Sequence, residues 1–246
     1  MRRSLLVVLL FAAGCGANAQ PSQPFAVSAP AEPSRTPAEI PTEEPTPEPE
    51  ARTDPTVVAQ GFTANAESDS ASYAVVIGNP NSTWVPRFVD VSVTFLDADG
   101  LELTTATQTI TGLFPASETA VAGEAPEAGG ATEMRVQITN LNGLPTAIRS
   151  SLEEAGGYEY EGVQTAQGPS GGTTTTGTVM SGFESVQSNV PIHAVYYDAA
   201  GDIVGGAGTS VDQVLAGGLA TFEASTVVTI ADIAETRIFG HIGFGS

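Results

Sequence analysis

FVDVSVTFLDADGLEL, residues 88–103, decides how this chain reads, because VPIHAVYYDAAGDIV at 190–204 repeats it with Asp97 falling on Asp198 and Gly100 on Gly201. Val89, Val91, Val93 and Phe95 fall on Val190, Ile192, Ala194 and Tyr196, so the apolar positions match one for one. Alternation with period two marks a strand with one buried face, and a slip of one residue would invert it. An Asp with Gly three residues later suits a tight turn: the carboxylate can accept backbone amides and the glycine tolerates positive φ. The element reads as a β-hairpin present twice.

Working outward at the same offset, Gly61-Phe62 falls on Gly162-Val163, and Tyr73–Ile77 on the Thr-rich TTTGT at 174–178. After one extra residue in the second copy, LFPASETAV from Leu113 corresponds to LAGGLATF from Leu215, and MRVQI around Arg135 to TRIFGHI around Arg237. Each copy then holds six or seven short strands separated by Gly, Pro, Asn and Asp turns. That spacing predicts an all-β chain of two tandem β-sandwich domains, at 56–145 and 155–246. In the linker between them, 146–154, Leu144, Ile148 and Leu152 repeat at helical spacing. A short helix or a turn over Pro145–Ala155 is therefore open, as a hinge or a brace.

Composition supports strands and turns: the chain has no lysine, and Thr, Val, Ala and Gly dominate its 246 residues. The formal net charge of −20 repels a phosphate backbone, and the eight arginines are not clustered into a stripe, so nucleic acid is excluded as a partner. Such acidity fits the solvated surface of an exported protein.

The chain opens MRRSLLVVLLFAAGCG, with Arg2 and Arg3, an apolar run from Leu5 to Ala13 and small residues before Cys15. This is the layout of a secretory signal, 1–14, and the run is shorter than the roughly 20 residues a membrane span needs. No fuller twin-arginine motif follows Arg2-Arg3, which favours general secretion. The only cysteine, directly after Ala12-Ala13-Gly14, resembles the lipobox of bacterial lipoproteins. That resemblance implies cleavage before Cys15, acylation of its thiol and a membrane partner held through lipid; two or more acyl chains make anchoring stable. In a Gram-negative cell, Gly16 after the cysteine implies the outer membrane. An ordinary signal peptide with an incidental thiol is the alternative. Residues 15–55 hold the cysteine and a Pro/Glu-rich stretch with ten of the seventeen prolines, which predicts a disordered stalk that extends the folded part away from the membrane.

VTFLDADG, Val93–Gly100, and AVYYDAAG, Ala194–Gly201, resemble the FxLYD modules of bacterial envelope lipoproteins, over roughly 85 residues per copy. The resemblance implies an immunoglobulin-like sandwich in the cell envelope, and the family has no catalytic residues to carry over.

Chemistry is sparse. His193 and His241 have no equivalents in the first copy, no local spacing surrounds them with ligands, and no metal or other cofactor is implied. His193 alternates out of phase with Ile192 and Ala194, so it should face away from the core, toward solvent. No serine lies in a nucleophile elbow, and an envelope enzyme would need a pocket bringing a histidine beside acids. Trp84, the single tryptophan, is either a plug at the sandwich end or an exposed contact residue, and Phe183 is a second loop aromatic that could meet a ligand. Asn81-Ser82-Thr83 matches a glycosylation sequon. Asp97 and Asp99 fail the EF-hand spacing, with glycine at loop position 4 and Leu101 at position 5, and leave only a weak loop-built calcium site. The sequence thus favours a non-catalytic surface protein that displays two modules as a spacer or as an interaction unit for another envelope or extracellular protein. A carbohydrate- or small-ligand-binding module is the alternative.

Overall fold

The computed structural model describes residues 52–144, 157–168 and 171–241. The expected signal peptide, Cys15, the expected Pro/Glu stalk up to residue 51 and the 145–155 segment lie outside them. Among the described residues every regular element is a strand. The first copy supplies β1 (Thr56–Asn65), β2 (Ser70–Asn79), β3 (Val85–Leu96), β4 (Glu102–Gly112), β5 (Ser117–Pro126), β6 (Glu133–Thr139) and β7 (Asn142–Leu144). The second supplies β8 (Tyr158–Gln167), β9 (Thr173–Ser181), β10 (Gln187–Tyr197), β11 (Ile203–Val214), β12 (Leu219–Thr226) and β13 (Glu235–Gly240).

In the first copy β1-β2-β5 faces β4-β3-β6, with β7 paired to the start of β3. After the β3–β4 hairpin, β5 crosses to the opposite sheet to pair with β2, the Greek-key connection of immunoglobulin-like sandwiches. The second copy repeats the plan as β12-β9-β8 facing β11-β10-β13. The alternation does what period two predicts: Val89, Val91, Val93 and Phe95 are at most 1% exposed in one core, and Val190, Ile192, Ala194 and Tyr196 likewise in the other. Both hairpins carry a bulge at the same place, Phe95/Leu96 and Tyr196/Tyr197.

Elsewhere the offset slips. Val75 pairs Val121 in the first copy and Gly177 pairs Phe222 in the second, so β2 maps onto β9 with Tyr73 on Thr175 rather than Thr174. Leu113, 1% exposed, corresponds to the fully buried Val214, while Leu215 is 58% exposed. Gly61 does not align with Gly162: Phe62 pairs Tyr73 and Thr165 pairs Thr175, so Phe62 corresponds to Thr165 across a bulge at 161–164. Bulges and a threonine-rich strand without alternation leave no register signal in the sequence.

The two sandwiches lie in one compact unit, Glu48–Ser246. The outer face of β1-β2-β5 packs on the outer face of β11-β10-β13, giving four stacked sheets. Ala74, Val76, Ala120 and Ala122 meet Val195, Tyr197 and Ile203, with Ala59 and Phe239 at the margin. β2 is therefore covered on both faces, and nearly every residue in it is buried.

The equivalent faces at the two ends of the stack are polar. On β3 and β4 a hydroxyl ladder pairs Ser92 with Thr107 and Thr94 with Thr105, and Asp90 accepts from Thr109. A terminal repeat with a polar outer face stops further stacking.

Candidate functional site

The seam between the sandwiches gathers the residue types that sequence alone scattered. It is lined by glycine and alanine, which lets two sheets approach closely. A Cβ on Gly61 would stand 1.8 Å from the Ile203 carbonyl oxygen, and one on Gly206 would stand 2.7 Å from the Ala122 Cβ. At such distances nothing larger fits without separating the sheets.

Two edge strands end in this seam, and an edge carries backbone groups that need partners. On β11, the fully buried Ser72 Oγ donates to the Gly206 carbonyl (2.6 Å) and accepts from the Gly206 amide (2.9 Å). Thr63 Oγ1 donates to the Val204 carbonyl at 2.6 Å. On β5, the Ala122 amide donates to His193 Nδ1 (3.0 Å), and His241 Nε2 lies 2.7 Å from the Ala120 carbonyl, to which it donates. Glu124 accepts from the Val227 amide (2.8 Å) and the Thr226 hydroxyl (3.2 Å). Each sandwich thus caps the other's open edge.

His193 is therefore not solvent-facing. It does point away from its own core, as its phase demands, but that face lies under the first sandwich and leaves it 5% exposed. The Ala122 amide can only donate, so with the ring proton on Nε2 His193 Nδ1 accepts from it; with the proton on Nδ1 the ring would donate instead to the Ala122 carbonyl at 3.1 Å. The rings of His193 and His241 lie 4.7 Å apart. Burial, reinforced by His241, holds His193 down to about 3, against the Ala122 carbonyl, which would favour a proton on Nδ1. Burial likewise lowers His241, opposed by the Ala120 carbonyl, and its Nδ1 has no hydrogen-bond partner among the described residues. Both imidazoles are neutral at neutral pH and act as edge caps. Among the described residues no group of three His, Cys, Asp or Glu is placed to hold a metal ion.

The other candidates fall at separate places. Asp97 Oδ1 accepts from the amides of Asp99 and Leu101, both at 2.9 Å, and Gly100 has φ 77°. Asp198 Oδ1 does the same for Ala200 (2.8 Å) and Asp202 (3.0 Å), with Gly201 at φ 86°. One oxygen of Asp97 is thus committed to its own turn, and the second copy builds the same turn with Ala200 where Asp99 stands.

Trp84 is half-buried, and the Arg52 guanidinium lies over its ring at 3.5 Å from the centroid. Arg52 also donates to the Leu141 carbonyl, and Thr53 exchanges hydrogen bonds with Asn81. The incoming chain therefore covers the tryptophan. Asn81, 9% exposed and bonded to Thr53 and Asn79, offers no free amide for glycosylation. Phe183 is also no contact residue: at 5% exposed it packs edge-on against Tyr158, 5.1 Å between centroids, and closes the end of the second core.

No family profile matches the chain, and no curated protein matches it. Among solved structures, the exo-chitosanase CsxA of Amycolatopsis orientalis aligns at 18% identity over 74% of this chain, with a TM-score of 0.24. This chain spans 25% of that enzyme's chain. The tandem CBM22 domains of Paenibacillus barcinonensis Xyn10C align at 10% identity over 80% of this chain and 92% of their own, with a TM-score of 0.16. Superpositions this loose carry no functional argument.

Proposed function

We propose that this chain is an exported envelope lipoprotein that holds two FxLYD-like β-sandwiches as one stiff unit, displayed on an acylated Cys15 and a Pro/Glu stalk. Its role is that of a spacer or protein-interaction unit, without turnover. The observation that carries the reading is the seam. Both histidines, the residues best suited to proton transfer, are used to cap the β5 edge, and glycine and alanine bring the sheets into direct contact. A joint of that kind fixes the distance between the two ends of the unit, which is what a spacer or a two-module interaction surface needs. The acidic surface keeps such a unit soluble beside the membrane.

Replacing Cys15 with serine tests the anchor: the variant should leave the membrane fraction and appear soluble, and persistence in the membrane would contradict the lipid attachment. A pull-down from envelope extract with the folded pair as bait then tests the interaction role: a specific partner is expected, and recovery of none would contradict that role and leave spacing alone.

A further inference from the structure

The interiors of the two sandwiches differ most between their first and last paired strands. In the first, Phe62 pairs Tyr73 across β1 and β2, and Phe95 pairs Met134 across β3 and β6. Phe62 and Tyr73 pack edge-on against Phe95, at 5.7 and 5.6 Å between centroids. In the second, the corresponding pairs are Thr165 with Thr175 and Tyr196 with Thr236. Three threonines stand where the first copy has two aromatic rings and a methionine.

The missing volume is not refilled. A cleft of about 500 Å³ opens beside β8 and β13, lined by Thr165, Thr236, Ile230 and Ile233, with Asp232 and Glu235 also in its wall. That volume lies within the range of small-molecule sites. From it a file of hydroxyls runs into the core: Thr236 to Thr165 at 2.8 Å, Thr165 to Thr175 at 2.9 Å, and Thr175 to the Tyr196 hydroxyl at 3.0 Å. Four hydroxyls joined by three links leave one donor over, and the direction of donation along the file can reverse. Thr236, at the cleft end, can thus either donate to or accept from a ligand hydroxyl.

Glu235 is held by Arg237 at 2.7 Å, which leaves the Asp232 carboxylate in the wall to disfavour an anion. Isoleucine side chains suit a C–H face, while the threonine hydroxyls and the Asp232 carboxylate suit a ring of hydroxyl groups. We propose that this cleft binds a neutral saccharide, one sugar residue deep. The proposal is independent of the lipid anchor and of the spacer role.

The test is an amide-resolved NMR titration of the protein with glucose, galactose and N-acetylglucosamine, with calcium chloride and ethanolamine as cationic counterparts. At least one sugar should shift amides around Thr165, Thr236 and residues 230–235, and leave the first sandwich unmoved. Thr236→Val, which keeps the shape and removes the hydroxyl, should weaken that binding at least tenfold. Thr165→Phe with Thr236→Met, which imports the filling of the first copy, should abolish it while the melting temperature holds or rises, so that loss of binding is not loss of fold. The proposal is overturned if no sugar shifts these amides, if only the cations do, or if both variants bind as the parent does.

Discussion

Lowering the pH from 7.5 to 4.5 should strain the seam, and His193 sets the scale. In the unfolded chain this imidazole titrates at its ordinary 6.5 and is charged at pH 4.5; in the folded chain, held to about 3, it stays neutral. The unfolded state then binds a proton that the folded state does not. The stabilisation is complete above pH 6.5 and is lost as pH falls from there toward 3. Two pH units below 6.5, at 1.36 kcal/mol per unit, the loss from His193 is about 3 kcal/mol. His241, also lowered, acts in the same direction. Against a typical domain stability of about 5–15 kcal/mol, that is a large share.

The control is His193→Asn with His241→Gln. The asparagine oxygen can accept from the Ala122 amide, and the glutamine amide can donate to the Ala120 carbonyl, so the edge stays capped without a titrating ring. The two proteins differ only at these two positions, and Glu124, in the same hollow as the histidines, is present in both. Urea unfolding at the two pH values should show the parent losing at least about 3 kcal/mol more than the double variant. Equal losses would refute the assignment of the histidines as buried, neutral caps.

Three further outcomes follow from single contacts. Gly61→Ala places a methyl against the Ile203 carbonyl and should lower unfolding stability by at least about 1–3 kcal/mol, the usual penalty of overpacking, measured by urea midpoint; an unchanged midpoint would mean the sheets are not in contact there. Asp97→Ala and Asp198→Ala should each cost about 0.5–1.5 kcal/mol through lost turn bonds, and calcium should not raise the parent's melting temperature; a calcium-dependent rise would restore the loop site. Because Trp84 is the single tryptophan, Arg52→Ala should shift the protein's fluorescence to the red as the ring is uncovered, and an unmoved emission maximum would place the ring under other atoms.

The hairpin was legible in the sequence because its alternation is regular and its Asp–Gly turn recurs in both copies. The seam was also written there, in a signal of a different kind. Tyr73-Ala74-Val75-Val76-Ile77 and Ala194-Val195-Tyr196-Tyr197 are unbroken apolar runs, whereas Val91-Ser92-Val93-Thr94-Phe95 alternates. A strand with one wet face alternates and a strand covered on both faces does not. The two runs identify the sheets that meet, and His193 stands directly before the second because it serves the neighbouring edge. The threonine cleft left no such mark. TTTTGT reads as a weak strand, and only the pairing of Thr165 with Thr175 reveals that these residues replace Phe62 and Tyr73. Trp84 and Phe183 were ambiguous because a loop position does not say which neighbour covers the ring.

The central claim is that the seam makes the two sandwiches one body. Residual dipolar couplings from backbone amides of both sandwiches, measured on the protein in a single alignment medium, test it most directly. The account predicts that one alignment tensor fits residues 56–139 and 158–240 together. Two tensors of different magnitude and orientation would show the sandwiches moving independently and would contradict it.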